Sequence, residues 1–380
     1  MNSVKSPTRS LPGVEMEQRS PRYGWVRRVV YGGGGWSGAA WRGLGRPLAW
    51  GWRLMARRRL TPGSSQPERL PAPVVSVGNV TVGGGGKTTL VRWVLAEGLP
   101  PGVRAAILSR GYGRAGRGVT VVAPGESFDA ARRAGDEPLL LARDGAWVGV
   151  GADRAGAARA LSSRMQADLY VLDDGLQHRR IARALDLVAF TQDDLLAPAR
   201  CLPAGPLRQG PGWIPARGAW VVAGDDPREQ DWPAGTIGAA FTRWWNEMPG
   251  TAARWADGGT VTLASWRAGR TEPFHAGERP VVAFAGVARP ASVARFAAEV
   301  GISVGRVVAF RDHHSYSQGD FAGLLRAHPE AALVTTEKDA VKCELAWFGE
   351  RPVGVIRRRL EPRDPGLLRN LLREAIAWPR

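Results

Sequence analysis

The chain has 380 residues, 44% of them apolar, and a formal net charge of +17, which is length enough for two domains and apolar content enough for a sizeable core. Its two cysteines, Cys201 and Cys343, lie far apart with no C-x-x-C spacing; this argues against a disulfide scaffold or a structural zinc site and fits a reducing compartment. The charge, carried mostly by Arg, leaves nucleic acid, an anionic membrane and a phosphorylated substrate open as partners.

Residues 1–21 are polar, with scattered Pro and Ser and no apolar stretch of the kind a secretory signal needs, and read as a disordered tail. Residues 22–60 interleave Trp25, Trp36, Trp41, Trp50, Trp52, Leu44, Leu48, Leu54 and Met55 with Arg27, Arg28, Arg42, Arg46, Arg53 and Arg57. Arginines interrupt every candidate span, so no transmembrane helix is expected. The composition predicts an amphipathic helical segment in a membrane interface, with rings at the headgroup level and guanidinium groups on anionic lipid. A helical hairpin packed on the protein body is the alternative, and the four glycines at 32–35 divide the segment in either case.

Residues 61–216 form the first predicted domain. Apolar strands are expected at 74–77, 105–108, 120–122, 147–150, 169–172 and 185–190, with helices at 88–97, 128–133, 136–143 and 153–165. The alternation predicts an α/β, P-loop NTPase-like fold: a mostly parallel sheet with helices on both faces and ligands at the carboxyl ends of its strands. The Gly- and Pro-rich run at 210–218 reads as a linker. A second, smaller α/β domain is expected over 217–380, with strands at 220–223, 238–242, 261–264, 280–284, 306–310, 332–335 and 353–357 and helices at 290–300, 317–327 and 365–377. Residues 224–278 have weak periodicity.

The chemistry starts where the first strand ends. Gly83, Gly84, Gly85 and Gly86 precede Lys87, Thr88 and Thr89, which open a helix. Glycines let backbone amides close on phosphate oxygens, the lysine reaches the β- and γ-phosphates, and the Thr88 hydroxyl is placed for Mg²⁺. Thr81 stands where the usual spacing has its first Gly, and a plain flexible turn is the bland alternative. Asp173 and Asp174 end an apolar strand, the position from which an aspartate holds Mg²⁺ in nucleotide-binding sheets. Asp136 in Gly135-Asp136-Glu137-Pro138 is either a helix N-cap or a base aimed at an acceptor hydroxyl. His313, after Asp312, is either a general acid/base or tuning partner or an ordinary loop histidine. Arg110, Tyr112, Gln177, His178 and Arg208 follow strands or stiff loops and are candidate substrate contacts.

Taken together the segments resemble the tetraacyldisaccharide 4′-kinase (lipid A 4′-kinase) family. The resemblance rests on the glycine loop from Ser76 to Thr88, on the runs 108–114, 135–138, 172–179, 202–208 and 283–290, on Asp312-His313-His314-Ser315-Tyr316, and on the run 334–340, all in family order. It accounts for Thr81, because the family shares that departure. The resemblance implies transfer of the γ-phosphate of ATP, with Mg²⁺, to the 4′-hydroxyl of an acylated glucosamine disaccharide 1-phosphate, giving lipid IVA. It implies a peripheral enzyme on the cytoplasmic face of the bacterial inner membrane. Lys87 and Thr88 would serve phosphates and metal, Asp173 and Asp174 the metal, and Asp136 the acceptor as a base paired with His313, with the second domain closing over the first. Gln209 stands where the family often has an acid. No nucleic acid and no obligate protein partner are expected. Two other classes are weighed. A partitioning ATPase of the deviant Walker type would need a signature lysine at the position of Val82, and a basic nucleic-acid binder would not concentrate its aromatic and basic residues before position 60 rather than along an RNA-reading sheet.

Overall fold

The computed structural model describes residues 13–19, 29–31, 35–60, 66–213 and 215–379. Most of the tail read as disordered therefore lies outside the described residues, as do Trp25, Arg27 and Arg28. The tail does hold one ordered piece: Glu15–Gln18 forms strand β1 and pairs with Arg306 to Ala309. Alternating charges on a short edge strand carry no apolar signal, which is why composition alone reads as disorder.

Among the described residues, thirteen strands form a single sheet. In chain order they are β1, β2 (Val74–Gly78), β3 (Ala105–Ser109), β4 (Thr120–Val122), β5 (Trp147–Val150), β6 (Leu169–Asp173), β7 (Leu185–Thr191), β8 (Gly218–Ala223), β9 (Gly250–Thr262), β10 (Val281–Ala285), β11 (Val304–Ala309), β12 (Ala332–Thr336) and β13 (Val353–Pro362). Their spatial order is β1-β11-β10-β12-β13-β9-β8-β7-β2-β6-β3-β5-β4. Pairing is parallel except between β4 and β5 and between β9 and β13. The mostly parallel α/β architecture expected from the alternating pattern is thus present, and its central strands are buried on both faces, as crossover helices require.

The antiparallel β9/β13 ribbon reverses strand direction halfway across the sheet. In a flat sheet the two halves would present their carboxyl ends to opposite edges. Here the ribbon pairs Ala253 through Thr262 with Pro362 through Gly354, slips register between Ile356 and Arg358, and leaves only Gly250 to Ala253 on β8. Twist and a bulge in such a ribbon turn one half over the other, so the strand ends of both halves face one cleft. The run 210–218, read as a linker, joins β7 to β8, which are neighbours in the half that carries the glycine loop.

One expected strand is helical instead, and another is half strand and half helix. Residues 238–242 fall in Ile237–Ala240 and Thr242–Glu247, started by Thr236, whose hydroxyl accepts from the Ala239 amide. Phe241, Trp244 and Trp245 point from this turn into Phe190 and Trp220, so aromatic packing overrides the strand-like composition. Residues 261–264 straddle the end of β9 and a helix, Leu263–Arg267, which is capped by Thr262.

The Trp/Arg segment supplies helices α1 (Gly35–Leu44) and α2 (Arg46–Leu60). Glycines 32–34 lie outside the described residues; a break falls at Gly45. Leu44, Leu48 and Trp50 are 78, 65 and 70% exposed, and Trp41, Leu54 and Met55 are also exposed. Trp52 turns the other way and donates to the Arg208 carbonyl at 3.1 Å. Among the described residues no helix is long and apolar enough to cross a membrane.

Candidate active site

A cleft of about 1750 Å³ runs between the two halves, lined by Gly83 to Thr89 on one side and by Arg289, Asp312, His313 and Lys338 on the other. The glycine loop enters it from β2 and leaves in helix α3 (Lys87–Trp93), continued by a π turn to Gly98. Gly83 and Gly86 lie at φ +102° and +77°, where a side chain is strained. A Cβ on Gly85 would come within 2.3 Å of Asn79 Nδ2. Asn79 is the loop's internal brace: its Nδ2 donates to Thr81 Oγ1 at 3.0 Å and its Oδ1 accepts from Lys87 Nζ at 3.3 Å. Thr81 does not face the cleft. Its hydroxyl is buried and donates to Asp194 Oδ1 at 3.2 Å, so the residue in the place of the first glycine anchors the loop to the start of the helix after β7.

Asp173 and Asp174, adjacent at the end of β6, have opposite environments. Asp174 sits at φ +52°, 3.6 Å from Lys87 Nζ, and accepts from Arg208 Nη1 at 2.9 Å through both oxygens. Burial would raise its pKa, but Lys87 and Arg208 outweigh that and hold it at about 2. Asp173 is 2% exposed and accepts from Ser109 Oγ at 3.2 Å, while its Oδ1 is buried with no hydrogen-bond partner. Burial first, then the charges of Glu137 and Asp174, push it up to about 7.

The second constellation crosses the cleft. Asp136 is the first residue of helix α4 (Asp136–Arg143), after Gly135 at φ +98°. It is not a side-chain N-cap. Its Oδ1 accepts from the Glu137 amide at 2.9 Å, and its two oxygens lie 3.1 and 3.0 Å from His313 Nδ1. His313, on the loop after β11, is held at φ +58°; with Asp174 it is one of two non-glycine residues at positive φ among the described residues, and both stand at the cleft. Lys342 Nζ is 3.5 Å from Asp136 Oδ2. Burial opposes the charge on Asp136, but the His313 hydrogen bond and the nearby lysines prevail and hold it well below the ordinary carboxylate range.

The remaining sequence candidates divide. Arg110 and Tyr112 line the cleft, and the Tyr112 ring lies 4.9 Å from that of His313. Gln177 and Arg208 line it but are engaged internally: Gln177 Nε2 donates to the Asn79 carbonyl at 2.9 Å and to Gln209 Oε1 at 3.1 Å. Gln209 itself is fully buried. His178 does not line the cleft; burial and the charges of Arg154, Arg183 and Arg180 push it down to about 4.

Four residues not among the sequence candidates complete the site. Asn79 and Asp194 brace the loop. Arg289, after β10, donates to Thr191 Oγ1 at 2.7 Å, Asp193 Oδ2 at 3.1 Å and Asp194 Oδ1 at 2.6 Å. Lys338, after β12, lies 3.0 Å from Glu137 Oε1 and 3.2 Å from His313 Nε2. Asn79, Arg289 and Lys338 sit inside runs that carry the family resemblance, which is the signal that could have singled them out; Asp194 does not.

Residues 41–377 match the family model described as tetraacyldisaccharide-1-P 4′-kinase. The chain is 39% identical over 275 residues to the tetraacyldisaccharide 4′-kinase of Chromobacterium violaceum, covering 72% of this chain and 75% of that one. It is 34% identical over 351 residues to that of Maricaulis maris, covering 90% and 94%. Among solved structures it is similar to LpxK from Aquifex aeolicus in complex with ATP, with a TM-score of 0.69 and 27% identity over 88% of this chain and 99% of that one.

Proposed function

The chain belongs to the tetraacyldisaccharide-1-phosphate 4′-kinase family, whose reaction moves the γ-phosphate of ATP to the 4′-hydroxyl of a tetraacyldisaccharide 1-phosphate to give lipid IVA in lipid A biosynthesis, and from that premise we propose how the residues of this cleft divide the work. The observation that carries the reading is the convergence of the glycine loop and its lysine with a carboxylate–histidine pair drawn from both halves of the sheet.

The amides of residues 83–88 cradle the phosphates, and Lys87, already poised between Asn79 and Asp174, places its charge on them. Thr88 and Asp173 are the residues that would hold Mg²⁺, with Asp174 beside them. A buried carboxylate oxygen without a partner, raised in pKa by burial, is a site a hard cation would satisfy. Bound there, the cation would neutralise charge on the β- and γ-phosphates. Asp136 accepts the hydrogen of the 4′-hydroxyl. A carboxylate held this far down is a weak proton sink, so its main task is to aim the hydroxyl, taking the proton late in a loose transition state. Arg110 and Tyr112 face the space left for the acceptor.

The acceptor is a lipid, and the exposed apolar residues Trp50 and Leu54, one turn apart on α2, form the surface that meets its bilayer, at the cytoplasmic face of the inner membrane. The test is direct: purified protein, ATP, Mg²⁺ and the lipid disaccharide 1-phosphate, with product analysed for a second phosphate on the sugar. Failure to form it would sink the reading.

A further inference from the structure

The groups around the Asp136–His313 pair give Lys338 a task. We propose that Lys338 is a positioning residue whose ammonium holds His313 as the neutral Nδ1–H tautomer, so that Asp136 meets a hydrogen bond and not an imidazolium. The catalytic consequence rests on the kinase reading; the protonation state of His313 does not.

Lys338 Nζ lies 3.2 Å from His313 Nε2, 3.0 Å from Glu137 Oε1 and 3.6 Å from Asp312 Oδ1. An ammonium has hydrogens to give and no lone pair to accept with. Beside it, Nε2 is an acceptor and carries no proton. The single imidazole proton is then on Nδ1, where it donates to Asp136 at 3.0 Å. The charges facing the ring come from every element packed on it: Asp136 and Glu137 from α4, Asp312 from its own loop, and Lys338 and Lys342 from the segment after β12. Tyr112 contributes only a ring face. Without Lys338, the carboxylates of Asp136 and Asp312 would face the imidazole without the ammonium beside Nε2.

Lys338 works against the other charges here. Burial disfavours the charged imidazole, the Asp136 contact favours it, and Lys338 is the largest nearby charge opposing it; the net direction is still upward, so the neutral form depends on Lys338. Lys338 keeps its own charge, since Glu137, Asp136 and Asp312 overcome its burial. Removing Lys338 therefore lets His313 hold a second proton to higher pH. Asp136 would then be locked in an ion pair and would be a poorer acceptor for the hydroxyl proton.

The experiment is NMR of the full chain labelled with ¹⁵N-histidine. The sequence has five histidines, and His313→Gln identifies the signals of interest. Wild type at about pH 8 is expected to show His313 with Nδ1 protonated and Nε2 bare. In Lys338→Met the midpoint should rise by about one pH unit or more, and Lys338→Arg, which keeps the charge, should restore the wild-type pattern. The acid limb of the kcat profile should move with the NMR midpoint in Lys338→Met, while KM for ATP stays within about twofold. A wild-type His313 protonated at Nε2 overturns the proposal, as does a titration in Lys338→Met that matches wild type. If Lys338→Met does not fold, the wild-type tautomer decides alone. Failure of the kinase assay would leave the NMR result standing.

Discussion

At the scale of single residues, the cleft works by committing most of its charges to two or three fixed partners. Asp174 is committed to Lys87 and Arg208, while Asp173 keeps an oxygen in reserve. Gly85 is where this economy is most sensitive. A methyl there would displace Asn79, the brace of both Thr81 and Lys87. Gly85→Ala should therefore lower ATP affinity by an order of magnitude or more while leaving the melting temperature close to wild type, as calorimetry of binding and unfolding would show. Asp136→Asn keeps the shape of the side chain and removes its charge; single-turnover assays should find the chemical step slower by roughly 10²–10⁴-fold with ATP binding largely kept. His178, outside the cleft, is useful for a different reason. Its folded pKa of about 4 lies below the ordinary value of about 6.5. Between those values the unfolded chain binds the proton and the folded chain does not, so stability falls as pH drops through that window. Urea midpoints compared at about pH 7 and pH 5 should converge in His178→Gln relative to wild type; an unchanged gap would refute the assignment.

At the scale of elements, local pattern located most strands and helices. The alternation of apolar runs between 73 and 190 reads directly as β2 to β7, because strands buried on both faces must be continuously apolar. It misled at 238–242, where a capped turn continues into a helix and Phe241, Trp244 and Trp245, at helical spacing, all pack on Phe190. Of long β9 the pattern indicates only the end, at 261–262, since its second half is Gly-rich and half exposed and its stability comes from pairing with β13. Helices α1 and α2 present the opposite case, a composition read correctly as helical whose partner remains to be tested. Replacing Trp50 and Leu54, both exposed and one turn apart on α2, with Glu should reduce sedimentation with anionic vesicles by more than tenfold. Equal binding by the double variant would remove the membrane role from this face.

At the scale of the whole molecule, the active site exists because the β9/β13 ribbon turns one half of the sheet onto the other. Arg289 and Arg92 are the fasteners. Arg92, on α3, bridges Asp144 and Glu337, with closest contacts of 2.6 Å to each, and Arg289 closes on Asp194, which is fully buried. Arg289→Met would leave that carboxylate without its cation. Breaking a buried pair from one side typically costs about 3–5 kcal/mol, so denaturant unfolding should show a loss of that order. Because Asp194 also holds Thr81, KM for ATP should rise in the same variant. What the sequence by itself determined is everything whose cause is local: the glycine loop, the strand ending in Asp173 and Asp174, and the Gly135-Asp136 turn, each shaped by neighbours a few positions away. Tertiary structure alone decided which of those groups meet. Asp136 and His313 are 177 positions apart, and nothing local to either specifies the other. Their distance is set by one antiparallel ribbon, and their protonation by charges such as Lys338 that arrive only when the two halves face each other.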